Sequence, residues 1–127
     1  VAIGLSTTLI QSLLNTLRNV SYVETAVYVK LHTGDPGAAG SGFPASETTR
    51  KAVTFNAPSG NSMALASSVQ WTSWPGASDV LTHVSLWDDP TAGNFLWSGA
   101  LAASKTVNSG DTFTLSTLPV SFTPQAA

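Results

Sequence analysis

Histidines, carboxylates and hydroxyls are the groups from which this chain could build an active site, and their spacing decides whether it does. Its two histidines, His32 and His83, both fall inside strand-like segments, on the side opposite the most apolar residues. His32 and Asp35 have neither the helical spacing of a metal pair nor the spacing of a zinc motif. Asp88 and Asp89 are adjacent and precede Pro90. A glycosidase needs two carboxylates reaching a sugar bond from separate places, so neighbours in a turn read as an Asx-turn at a solvated corner, with a weak calcium site as the chemical alternative. No Gly-x-Ser-x-Gly elbow occurs, and the glycine-rich residues 34–42 lack the lysine and helix of a phosphate loop. The absence of cysteine removes thiolate catalysis, disulfides and zinc–thiolate sites. The sequence therefore predicts a protein that is not an enzyme and that uses neither a metal nor a cofactor.

Aromatic residues offer a second kind of chemistry, because exposed indoles stack on sugar rings and anchor protein interfaces. Trp71 continues the alternation from Val69, and Trp97 that of Phe95, Gly99 and Leu101, which assigns both to the core. Trp74 opens a Trp-Pro-Gly turn and Trp87 closes a strand. These two are the candidates for glycan contact, and an interface anchor explains them equally well.

The elements that must carry these residues change period near Thr25. Before it, Leu9, Ile10, Leu13, Leu14 and Leu17 lie on one face of a helix spanning residues 6–18, with Ser6 as N-cap and Asn19 at its end. That apolar face needs a partner: the protein's own sheet or a neighbouring subunit. Beyond it, alternation of period two predicts strands over 26–32, 51–56, 62–72 (in two pieces), 80–87, 95–102, 112–116 and 118–123, separated by Gly, Pro, Asn and Asp clusters. A long Gly/Pro-rich loop runs from residue 34 to about residue 49 and marks a contact segment. The expected fold class is mostly β: a single β-sandwich or jelly-roll-like domain of seven to eight strands, preceded by an N-terminal amphipathic helix. The expected organisation is one domain over 1–127, with an arm and helix in 1–20 and the sandwich in 25–123.

Composition narrows the partners. Only 9% of the 127 residues are charged, where about 25% is usual, and Ser, Thr, Gly, Asn and Ala replace Lys and Glu. A polar but nearly uncharged surface suits lasting protein–protein contact. The five basic residues, Arg18, Lys30, Arg50, Lys51 and Lys105, form no stripe that could track phosphates, so nucleic acid is not an expected partner. No apolar run reaches the ~18 residues of a membrane span.

Several segments together resemble a known family. Leu31-His32-Thr33-Gly34-Asp35-Pro36-Gly37, Arg50-Lys51-Ala52-Val53-Thr54-Phe55, Thr82-His83-Val84-Ser85-Leu86-Trp87-Asp88, residues 93–101 and residues 105–111 are similar, in order, to segments of small virion proteins of tailed phages of actinobacteria, described as tail-fibre-like or minor virion proteins. Ser85 departs from a frequent glycine, which affects a local backbone contact. The resemblance implies a non-enzymatic structural protein located in the virion and assembled in the bacterial cytoplasm. A compact chain without repeat or shaft favours a minor capsid (decoration) protein; a tail-fibre or minor tail protein is the alternative, and a carbohydrate-binding module a second one. The expected partners are the major capsid protein or other virion proteins, with further copies of itself, a trimer included. The expected interface residues are Leu9, Leu13, Leu14 and Leu17 of the helix and Asp35, Pro36 and Gly37 of the loop; Trp74 and Trp87 serve only the glycan alternative.

Overall fold

The computed structural model describes residues 3–123. Helix α1 (Thr7–Thr16) begins where the sequence places it: Ser6 has extended backbone angles, and its Oγ accepts the Leu9 N–H at 3.0 Å. That bond satisfies one of the free amides of the first turn. The helix closes through hydrogen-bonded turns from Arg18 to Asn15 and from Asn19 to Thr16. Asn19 takes a left-handed φ of 64°, which a short polar side chain tolerates better than most.

Among the described residues, nine strands follow the mostly β expectation. They are β1 (Gly4–Leu5), β2 (Val27–His32), β3 (Lys51–Val53), β4 (Ser62–Met63), β5 (Val69–Trp71), β6 (Asp79–Trp87), β7 (Phe95–Val107), β8 (Phe113–Leu115) and β9 (Val120–Ser121). Five form an antiparallel sheet in the order β1-β7-β6-β2-β3, and two ribbons, β4-β9 and β5-β8, lie apart from it. One core cluster joins them: Val29 and Leu31 of β2, Leu81, Val84 and Leu86 of β6 and Trp97 of β7 pack with Trp71, Phe113, Leu115 and Val120 of the ribbons. The second layer is thus two short ribbons rather than one continuous sheet.

Two elements differ from expectation for a common reason. Strand β1 was not expected, since two residues carry no period; it exists because Gly4 and Leu5 pair with Ser98 and Trp97. Strand β7 runs on past residue 102 through Ala103, Ser104 and Lys105, residues of low strand preference, because Lys105, Thr106 and Val107 pair with Leu81, Val80 and Asp79. Tertiary pairing overrides local preference in both places.

Register sets the two faces of the large sheet. Leu31 opposes Val84, and Val29 opposes Leu86, which opposes Trp97; these turn to the core. Tyr28 opposes Trp87, Lys30 opposes Ser85 and His32 opposes His83 on the other face. This second face was expected to be the polar one, yet His32, Ser85, Ser98 and Phe95 on it are buried. The segment after β2 folds back over them. Thr33 N–H donates to the Phe43 carbonyl, Ala45 N–H donates to the Leu31 carbonyl, and Gly40 seats against the Phe95 ring. Gly40 has φ 73° and no room for a Cβ there, so glycine is required on both counts.

Leu31 is wholly buried at the centre of the core. Leu31→Ala is expected to cost about 2–5 kcal/mol of unfolding free energy, measured by urea denaturation with an unchanged m-value.

Candidate functional site

The helix stripe divides between core and surface. Leu9 is buried against the protein's own core, so as an expected interface residue it is corrected: its side chain is unavailable to a partner. Ile10, Leu13, Leu14 and Leu17 are exposed at 42%, 38%, 57% and 82%. At about 100° per residue these four cover one continuous arc of the helix, centred roughly 90° from Leu9. No charged residue occurs in Thr7–Thr16 to solvate it.

In the loop, Asp35 accepts the Gly37 N–H through Oδ1 at 2.8 Å, an Asx-turn, and Gly37 takes φ 78°. Pro36 is buried, so its ring belongs to the packing under the loop and not to an open contact surface. The exposed apolar residue of this segment is Phe43, which sequence periodicity could not single out because it lies outside any regular element.

Of the two tryptophans expected to be exposed, Trp74 is buried at 1% exposure. Its Nε1–H donates to Asp79 Oδ2 at 3.0 Å, and the same oxygen accepts the Ser46 N–H. Burial opposes ionisation of Asp79, but the hydrogen bonds from Ser46 and Trp74 outweigh it and hold the carboxyl below its ordinary value. A Trp-Pro-Gly turn looks solvated in sequence; a carboxylate five residues on gives the indole a buried partner. Trp71 uses its Nε1–H in the same way, on the Thr49 carbonyl at 2.9 Å. Two core tryptophans therefore fix the backbone of Ser46 and Thr49.

Trp87 is half-buried, and one face of its ring is occupied. The Arg50 guanidinium lies 3.9 Å from the ring centroid, where the negative face of the π-system holds a cation. Arg50 Nη1 donates to the carbonyls of Asp89 (2.9 Å) and Ala92 (2.7 Å), tying the start of β3 to the β6–β7 turn. That turn is the Asx corner read from the sequence. Asp89 Oδ1 accepts the N–H groups of Ala92 and Thr91, which hold its carboxyl below the ordinary value, and Asp88 Oδ1 accepts the Asn94 N–H. Arg50 and its like-charged neighbour Lys30 were not expected as site residues. The signal available was their position on the polar side of adjoining strands.

Beneath the loop runs a proton-ordered chain. Trp87 Nε1–H donates to Ser85 Oγ at 2.8 Å, and Ser85 Oγ lies 2.7 Å from His32 Nε2. His32 Nδ1 lies 2.7 Å from the Gly42 carbonyl, which can only accept, so Nδ1 carries the hydrogen and Nε2 accepts from the serine. Ser85 thus does more than replace a glycine at a backbone contact: its hydroxyl joins a strand to a loop. Burial lowers the His32 pKa from its ordinary 6.5, and Lys30 and His83 add to this while the Gly42 carbonyl opposes it. Among the described residues no group of three or more His, Cys, Asp or Glu is placed to hold a metal.

The described residues thus form a charge-poor, mostly β fold with an exposed apolar helix arc and a hydrogen-bonded loop. The family model for podophage GP4 fiber I protein gp80 matches residues 4–123, and the chain belongs to that family. Membership supports a structural role in a phage virion and the tail-fibre-like side of the resemblance. No curated protein matches the chain.

Ser85→Ala removes the partner of a half-buried indole N–H and of a buried imidazole nitrogen; it is expected to cost about 1–3 kcal/mol in urea unfolding. The histidine also gives a pH dependence. Its folded pKa is below the unfolded one, so the unfolded chain binds more protons as pH falls below 6.5. The contribution is complete above that pH and is lost on acidification toward the folded value. Glu24, raised by burial, has the opposite slope above its ordinary 4.5, so the difference between two proteins isolates the histidine. The melting temperature of the wild type should fall between pH 7 and 5 more steeply than that of His32→Gln.

Proposed function

We propose that the chain is a fibre component of a podophage particle, held in place by its helix against another structural protein of the virion. The observation that carries this reading is the exposed stripe of Ile10, Leu13, Leu14 and Leu17 on a helix without charge. Covering such side chains contributes roughly 1 kcal/mol or more each, which a solvated helix forgoes. Membership of a phage fibre family supports a virion partner and supports a fibre position at least as well as the shell position expected from the sequence. The glycan reading that relied on open indoles loses support, since Trp74 is buried and Trp87 is capped by Arg50.

Leu14 and Leu17 are the most exposed of the stripe, so changing them tests docking without touching the core. The double variant Leu14→Asp, Leu17→Asp is expected to keep its melting temperature to within a few degrees and to be missing from purified particles in a complementation assay. Incorporation at the wild-type level would overturn the proposal. Loss of a homo-oligomer by light scattering, with incorporation retained, would move the stripe to a contact between copies.

A further inference from the structure

Lys30 and Arg50 stand on the outer face of adjoining strands, one register step beyond the Val29–Lys51 pair. Like charges so placed repel, and burial followed by the charge of Arg50 lowers the Lys30 pKa. The charges of Asp89 and Asp88 favour the Arg50 cation and relieve part of this, whereas no such charge acts on Lys30. No hydrogen bond is made by the Lys30 ammonium, and the nearby Asp88 and Asp89 carboxylates are turned to the N–H groups of their own corner. Between the two cations opens a cleft of about 520 Å³ lined by Lys30, Thr48, Thr49, Arg50, Pro90 and Thr91. Its size falls within the ~300–1,000 Å³ of small-molecule sites.

The walls are fixed in advance. Arg50 is held by Trp87 and by two carbonyls of the 89–92 corner, Thr49 by the Trp71 indole and Glu47, and Thr91 by Asp89. Arg50 uses only Nη1 in these contacts, and the hydroxyls of Thr48 and Thr49 donate to no described residue. An open cleft that brings together an ammonium without a hydrogen bond, spare guanidinium donors and the threonine hydroxyls suits a ligand bearing an anion and several hydroxyls.

We infer that this cleft binds an acidic saccharide, its carboxylate or phosphate between Lys30 and Arg50 and its hydroxyls toward the threonines. An acidic side chain of another protein would satisfy the charges but would leave the threonine rim and most of the volume unused. The inference concerns the isolated chain, so it stands or falls separately from docking through the helix.

The test is titration of the full chain, followed by amide chemical shifts, with D-glucuronate, D-glucose 6-phosphate, D-glucose and N-acetylglutamate. Saturable shifts at residues 30, 48–50 and 91 are expected with the first, the second or both, and which one responds separates carboxylate from phosphate. Glucose is expected to bind at least tenfold more weakly. Lys30→Gln should weaken the acidic sugar at least tenfold while melting no lower than the wild type, because it removes a repulsion. Three results would each overturn the inference: no saturable binding of either acidic sugar, unchanged binding by Lys30→Gln, or N-acetylglutamate binding as well as glucuronate.

Discussion

The long pairing of β6 with β7 is the constraint from which the other contacts take their positions. Its register sets Leu86 against Trp97 on the core face and Ser85 against Ser98 on the other, and it carries irregularities near His83 and Trp87. Strand β2 then pairs on the free edge of β6, while β1 closes the far edge of β7. A slip of one residue in this pairing would turn Leu86 outward and Ser85 into the core, so hydrophobic burial makes the register nearly unique. Because side chains alternate, the same pairing also decides that Lys30, Ser85 and Trp87 share a face.

A sheet with one face in the core would ordinarily leave the other to water. Here the segment after β2 lies over part of that face, and Lys30 beside it lines the cleft with Arg50. One polar and one apolar side chain hold the cover: His32 reaches the Gly42 carbonyl, and the Phe95 ring lies under Gly40. Polar groups buried at this depth must be paired, and along the chain from Trp87 to the Gly42 carbonyl Ser85 Oγ and His32 each make two hydrogen bonds. The loop can therefore be rich in glycine and still be fixed in one conformation. Trp71 and Trp74 extend the fixation to residues 46–49 by donating to a carbonyl and to Asp79. Core packing and surface architecture share contacts here, since Trp71 and Trp74 bury their rings while their N–H groups go to the Thr49 carbonyl and to the Asp79 carboxylate that also holds Ser46.

For a chain of a phage fibre family, this division suits assembly. Rigidity comes from the sheet, its ribbons and the clamped loop. Of the exposed large apolar side chains, Ile10, Leu13, Leu14 and Leu17 share one helix arc, while Ile3, Val20, Val23, Phe43 and Val80 lie elsewhere. The helix buries Leu9 and leaves the adjoining arc of Ile10, Leu13, Leu14 and Leu17 exposed.

The sequence alone determined the mostly β class, the helix with its Ser6 cap, the Asx corner at Asp88 and Asp89, and the core positions of Trp71 and Trp97. Each of these is local: a period, a cap or a turn is encoded within a few residues, and alternation states which side chains share a face. Its segments also pointed to a phage virion family. Only the tertiary structure decided that Leu9 packs inward while its neighbours do not, that Pro36 and Trp74 are buried, that His32 is covered, and that Lys30 and Arg50 meet. The reason is common to all four. Periodicity tells which residues lie together on an element, but whether that face is covered depends on segments far along the chain. Residues 33–45 returning over the sheet and the start of β3 falling next to β2 are pairings between separate segments, which leave no mark in local sequence. Even Asp79, five residues from Trp74, reaches the indole only through the path of the intervening turn.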